Sequence, residues 1–253
     1  MTTCIAVSNQ KGGVGKTTTA VNLAAQLASS RRRVMLVDLD PQGNATSSLG
    51  IDKTALTYTL YDALVHGKEL SQVVQPTRQE NLFVLPATHH LAQAEVDLVT
   101  VTNRERSLQT VLAQVESDVI VIDCPPSLSL LTVNALTAAN SVLIPVQAEY
   151  FALEGLSQLL QTIEAVRTQL NPSLDLLGVV LTMYTKRMVL SEQVKQELTA
   201  YFGDKVFRVV IPRNIRLAEA PSYGRTIFEH DRWSKGAKAY KTLASEVIAR
   251  LSL

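Results

Sequence analysis

Seven short runs of aliphatic, largely β-branched residues, apolar along most of their length, recur between helical stretches, and this constrains the fold more than anything else in the chain. They are Ile5–Ser8, RVMLVDLD at 33–40, NLFVLPA at 81–87, DVIVIDCPP at 118–126, SVLIPV at 141–146, LLGVVLTM at 176–183 and KVFRVVIP at 205–212. A strand with one face in water alternates polar and apolar residues; these runs do not, so both of their faces must be covered. Helical spacing fills the gaps. Thr17–Ser29 puts Ala20, Leu23, Ala24 and Leu27 on one stripe, and Leu153–Leu170, Ser191–Phe202 and Gly236–Leu251 follow. The pattern predicts an α/β fold: a mostly parallel, twisted sheet with helices on both faces. Ligands of such sheets sit beyond the carboxyl ends of the strands. No internal repeat, low-complexity run or linker divides the 253 residues, so one domain over 1–253 is expected.

Composition narrows the function by exclusion. Hydrophobic residues make up 46% and charged residues 19%, an ordinary globular balance. No apolar run reaches transmembrane length and none has the form of a signal peptide, so a cytoplasmic protein is expected. Cys4 and Cys124 lie in or just after strand-like runs and read as reduced, buried thiols. No Cys/His cluster has metal-ligand spacing. The net charge of +1 hides a polarity. Residues 1–183 carry 11 basic and 16 acidic side chains, a net of −5, and residues 184–253 carry 13 and 7, a net of +6. A chain polarised in this way can turn a basic face to a polyanion, or simply scatter solvated charge over its surface.

The first run leads into NQKGGVGKTTT at 9–19. A glycine-rich turn between a strand and a helix exposes backbone N–H groups that cradle phosphate oxygens. Gly12, Gly13 and Gly15 let the backbone approach closely. Lys16 is placed to reach the β- and γ-phosphates, and the Thr17 hydroxyl to ligate Mg²⁺. Asp123 closes the run Val119–Ile122, the Walker B arrangement, and is expected to hold Mg²⁺ through water. In DLDPQGN at 38–44, Asp38 and Asp40 are read as facing opposite ways and doing different jobs. Asp40, beside Pro41, is the candidate for aligning an attacking water, which is sufficient because phosphoryl transfer needs mostly positioning and charge stabilisation. Asp38 is expected to pair with Lys16 or to support the loop.

These segments resemble a known family. KGGVGKTT at 11–18 is similar to the deviant Walker A loop of the ParA/MinD group of P-loop NTPases. DLDPQGNAT at 38–46, IDCPPSL at 122–128, ALEGLSQLL at 152–160 and IPRNIRLAEAPSYG at 211–224 resemble the short, Soj-type ParA proteins of chromosome and plasmid partitioning. The resemblance implies an ATPase with ATP/ADP and Mg²⁺ as cofactors. It implies that Lys11 is the signature lysine, reaching the partner's phosphates across a homodimer formed on ATP binding. The loop of Lys11, Gly12, Gly13, Val14, Gly15, Lys16, Thr17 and Thr18 would wrap the nucleotide, with Thr17, Asp40 and Asp123 around the metal. Lys11, Lys16 and Asp40 would serve hydrolysis, and Pro212 and Asn214 would hold the adenine ring. Arg187 and Arg216 would bind double-stranded DNA without sequence preference, which makes the protein nucleoid-associated. A ParB-type partner would stimulate hydrolysis. Because the chain opens almost at the first strand, it is not expected to carry the operator-binding extension of longer relatives.

Two readings stay open beside this one: a MinD-like, membrane-associated positioning ATPase, and a ParA-like positioner of a protein cargo. A redox ATPase of the nitrogenase iron-protein type would need a cluster-bridging cysteine pair, and Cys4 and Cys124 are wrongly placed for it. The C-terminal helix, with Tyr240, Leu243, Ala244, Val247, Ile248 and Leu251 at helical spacing, has no strongly basic face. It reads as packed on the sheet, and no stable membrane association is expected. Arg31, Arg32 and Arg33 read as dipole partners of a helix end. His89 and His90 read as loop or capping residues, Phe83, Phe151, Phe202 and Phe207 as core, and Trp233 is left without a role.

Overall fold

The computed structural model describes residues 2–29, 32–149 and 154–253, with backbone alone for Glu154 and Gly155. Each expected strand is present: β1 (Thr3–Val7), β2 (Val34–Asp38), β4 (Leu82–Leu85), β5 (Val119–Asp123), β6 (Ser141–Gln147), β7 (Asp175–Tyr184) and β8 (Val206–Pro212). The additional β3, Gln75–Pro76, pairs antiparallel with β4 at one edge. A proline cannot donate to a ladder, so it is tolerated only at such an edge. The sheet order is β3-β4-β2-β5-β1-β6-β7-β8, and every other pair is parallel.

Successive residues feed two separate cores, one on each face. Cys4 and Ala6 of β1 enter one, and Ile5 and Val7 enter the other. This is the period of two expected of a strand covered on both sides. Helices Leu60–His66, Ser107–Leu112, Leu130–Ala138, Glu154–Gln169 and Val189–Phe202 cover the first face. Lys16–Ala28 and Lys235–Leu251 cover the second. In the C-terminal helix Ala237, Tyr240, Leu243, Ala244 and Val247 are buried, so its apolar stripe is spent on the sheet and on helix Lys16–Ala28. Among the described residues no helix is long and apolar enough to cross a membrane.

Some expectations need correction. Of the phenylalanines, Phe207 is fully buried, Phe83 and Phe202 are only partly so, and Phe151 lies outside the described residues. Arg31 also lies outside them. The helix before Arg33 ends at Ala28 with no basic residue in its last turn, so the dipole does not account for Arg33. Its guanidinium instead stacks on the Phe83 ring, 4.7 Å from the centroid.

β1 lies between β5 and β6, so the chain order reverses there and a crevice opens at the carboxyl end. Across that end Val7 is level with Asp123, and Asp123 with Asp38.

Candidate functional site

The turn between β1 and helix Lys16–Ala28 is held open by its glycines. Gly13 and Gly15 have φ of 76° and 86°, a left-handed backbone that favours glycine. A Cβ on Gly12 or Gly13 would meet nothing within 4 Å, so the space beside the turn is open. Gly15 caps the helix without a side-chain bond, and the first turn holds no acid. The first N–H groups of that helix, with Thr17 and Thr18 beside them, are thus available to an anion. Two residues that sequence patterns did not single out pin the turn in place. Thr182 Oγ1 of β7 donates to the Val14 carbonyl at 2.7 Å. Asn9 Nδ2 donates to the Pro145 carbonyl at 2.7 Å, while its Oδ1 accepts the Lys11 N–H at 3.0 Å.

The two lysines go to different places. Lys16 is buried, and its Nζ donates to the Lys11 carbonyl at 3.0 Å. Burial lowers its pKa, against the pull of Asp123, Cys124 and Asp40. Lys11 Nζ sits 3.3 Å from Glu149 Oε2, on the rim. Glu149 also accepts from Gln147 Nε2, so it is itself held in position.

The acids form a buried group. Asp38 and Asp123 are 0% exposed and level with each other on adjacent strands. Both oxygens of Asp123 and Oδ1 of Asp38 are buried and have no hydrogen-bond partner among the described residues. Burial raises both carboxyl pKa values, Asp38 to about 6, with Asp40 adding to the rise at Asp38, and Asp38 and Asp40 adding to it at Asp123. Thr17 and Lys16 pull Asp123 back. A buried carboxylate with no donor calls for a proton or a cation, and the orphaned oxygens beside Thr17 suit a divalent cation. Cys124, next in the chain, is buried and its thiol is pushed up by burial; Cys4 is buried too, pushed up to about 12.

Asp38 does not bond Lys16. Its Oδ2 accepts from the Thr46 N–H at 2.7 Å and from Thr46 Oγ1 at 2.6 Å, and Thr46 Oγ1 accepts the Ala87 N–H at 3.0 Å. Asp38 therefore fixes the segment after β2. The expectation of opposite faces was misplaced, because residues two apart in a strand share a face. What separates the two acids is that β2 ends at Asp38. Asp40 stands in the turn beyond, 8% exposed, its Oδ1 accepting the Gln42 N–H at 2.9 Å.

On the other side of β1 a cavity of about 390 Å³ opens between the glycine turn and the ends of β7 and β8, lined by Gly15, Thr18, Met183, Pro212, Asn214 and Tyr240 among others. Ligand pockets have this size. Met183 holds a left-handed φ of 51° in its wall, a conformation that costs a non-glycine residue energy and marks functional sites. Tyr240 shares a hydrogen bond of 3.1 Å with Thr19, tying the C-terminal helix to the phosphate-loop helix. Asn214 caps helix Ile215–Glu219, its Oδ1 accepting from the Arg216 N–H at 2.8 Å, and lines the same cavity.

The structure brings Lys11, Gly12, Gly13, Val14, Gly15, Lys16, Thr17, Thr18, Asp40 and Asp123 to one sheet end, with Pro212 and Asn214 across β1 from the acids. Arg187 lies on the loop following β7 and Arg216 in helix Ile215–Glu219 following β8, and the two segments are joined by the Arg213 N–H donating to the Tyr184 carbonyl at 3.2 Å. Arg187 is exposed and has no ion pair among the described residues. Arg216 is engaged, with Nη1 2.9 Å from Glu219 and Nε 3.7 Å from Asp231.

The arrangement matches known proteins. A family model described as an AAA domain matches residues 2–176. The sporulation initiation inhibitor protein Soj of Bacillus subtilis is 55% identical over 247 residues, covering 97% of this chain and 98% of that protein. The chromosome partitioning protein ParA of Myxococcus xanthus is 53% identical, with coverage of 97% and 88%. Among solved structures, a cobyrinic acid a,c-diamide synthase from Mycobacterium smegmatis with bound ADP and magnesium superposes with a TM-score of 0.89 at 39% identity, covering 100% of this chain and 96% of that one. A phosphate-loop α/β sheet with near full-length identity of about half to partition proteins leaves one assignment: the chain belongs to the ParA/Soj family of chromosome-partitioning ATPases.

Proposed function

We propose that this chain is an Mg²⁺-dependent ATP switch. It dimerises on ATP, binds double-stranded DNA without sequence preference, and drives chromosome or plasmid partitioning with a ParB-type partner that stimulates hydrolysis. One domain, residues 1–253, carries every step, in the cytoplasm and on the nucleoid. The observation that carries the reading is Asp123: two buried, partnerless oxygens beside Thr17 and Lys16, at the mouth of an open glycine turn. That is a seat for a cation and a polyanion together.

Lys16 and the turn amides would bind the triphosphate, with Thr17, Asp123 and, further out, Asp40 around Mg²⁺. The cation supplies charge neutralisation at the phosphate oxygens. Asp40 would orient water. Lys11 would leave Glu149 for the phosphates of a second copy, placing positive charge only once two chains meet and so coupling chemistry to assembly. Pro212 and Asn214 would hold the adenine. The basic C-terminal third, with Arg187 and Arg216, would grip DNA phosphates, and guanidinium groups do this without reading bases.

Co-sedimentation with plasmid DNA and, separately, with anionic vesicles tests the reading in the presence of Mg²⁺–ATP, Mg²⁺–ADP or no nucleotide. Retention on DNA with ATP alone, lost as salt rises, is expected. Retention on vesicles without retention on DNA overturns it.

A further inference from the structure

Between residues 213 and 238 the charges are unevenly engaged. The segment holds three carboxylates, and each is engaged by a group of the segment itself. Glu229 accepts the Thr226 N–H at 2.8 Å in a capping box. Glu219 takes Arg216 and lies 3.5 Å from His230 Nε2. Asp231 accepts the Trp233 N–H at 3.2 Å and faces Arg216. Of the segment's cations Arg216 alone has a carboxylate partner among the described residues. Arg213, Arg225, Arg232, Lys235 and Lys238 are exposed and have no ion pair among the described residues. Acids bonded within the segment and cations left without a carboxylate give this surface a positive face that the net charge of the chain conceals.

One point on that face is built differently. The Asp231 carboxylate gives one oxygen to Arg216 Nε and the other to the Trp233 N–H, so the turn carrying Arg232 and Trp233 is fixed next to Arg216. The Arg232 guanidinium lies 4.7 Å from the centroid of the Trp233 ring. Trp233 is nonetheless 71% exposed. Stacking on an indole holds a guanidinium flat and pre-oriented while its N–H edge stays free, which lowers the entropy lost when that edge takes a phosphate. The indole N–H is a further donor.

We propose that Arg232 and Trp233 form a second contact of the DNA-binding surface, beside Arg216. Arg232 grips a phosphate of the duplex, and Trp233 lies against the adjoining sugar–phosphate backbone. The contact reads no bases, because it reaches only phosphate and sugar. The inference rests on the reading that the ATP-bound protein binds DNA through Arg216.

Trp233 is the single tryptophan of the chain, so the native protein carries its own probe. The full chain in Mg²⁺–ATP is titrated with duplex DNA of random sequence while Trp233 emission and acrylamide quenching are followed. Saturation with DNA is expected to shift the emission and lower the quenching constant by roughly half, because the ring becomes covered. Arg232→Ala and Trp233→Ala, checked for unchanged melting temperature, are each expected to weaken binding roughly three- to tenfold. Arg232→Ala also lowers the salt slope by about one. Emission that moves on adding ATP and not further on adding DNA assigns the turn to contact between copies of the chain and overturns the proposal. Silent emission with unchanged affinity in both variants, while Arg216→Ala weakens binding, overturns it alone. Absence of DNA binding by the native protein overturns the DNA reading on which it rests.

Discussion

The two sides of β1 meet at one sheet end and hold charge in opposite ways. Towards β5 and β2, Asp123 and Asp38 are sealed from water, and three of their four carboxylate oxygens have no hydrogen-bond donor among the described residues. Towards β7 and β8, Arg187 and Arg213 stand in solvent, and Arg216 is 57% exposed even with its carboxylates around it. A sealed charge feels little screening and answers to pH and to whatever fills the site. An exposed charge answers to salt. The acid side is thus equipped to hold one ligand in one geometry, and the basic side to hold a polyanion loosely.

The sharpest break in the comparison is Lys16→Ala. It removes the one buried ammonium of the acid side and leaves the carboxylates facing each other. Affinity for a fluorescent ATP analogue is expected to fall by about 100-fold or more, since charge-assisted bonds to phosphate are lost in a sheltered site. Unchanged affinity would dismiss the cradle. Asp40→Ala follows, with ATP turnover reduced on the order of 100-fold and an ATP-bound dimer held on size-exclusion chromatography. Normal turnover in that variant would remove Asp40 from catalysis.

These two residues stood out in the sequence because their local rules are strong. Gly13 and Gly15 are glycines for a backbone reason, Lys16 opens a helix, and Asp40 stands just past the aliphatic strand that Asp38 ends. The central parallel strands were legible for the same reason. What stayed hidden depends on distant partners. Thr182 meets Val14 from 168 residues away, and Glu149 meets Lys11 from 138. Nothing in their neighbours marks them. The bond from Asp38 to Thr46 was open to a sequence reading only as one of two choices, and β3, two residues ending in proline, carries no periodicity at all.

A third test separates the sides by pH. Asp123 and Asp38 have carboxyl pKa values raised above those of the unfolded chain, Asp38 to about 6. The folded state therefore binds more protons between the two values, so stability falls as pH rises through that window. In the metal- and nucleotide-free protein, the melting temperature is expected to drop by about 3 °C or more from pH 5 to pH 7.5, and Asp123→Asn to flatten that slope. A melting temperature that rises over this range, with an unchanged slope in Asp123→Asn, would mean that the carboxylates are satisfied and the acid side is not strained.

The smallest effects belong to the exposed side, where they rank two arginines. Arg187→Ala and Arg216→Ala are each expected to weaken DNA binding roughly three- to tenfold and to lower the salt slope by about one. Arg187 has no carboxylate to leave among the described residues, whereas Arg216 must share or surrender Glu219 and Asp231 before it takes a phosphate. The loss from Arg187→Ala should therefore be the larger, and Glu219→Gln should tighten binding. Filter-binding curves at several salt concentrations decide it. If Arg216→Ala costs more, and Glu219→Gln weakens binding, the carboxylates aim the guanidinium at the duplex instead of neutralising it. The basic side would then be as pre-organised as the acid side, differing from it only in its exposure to water.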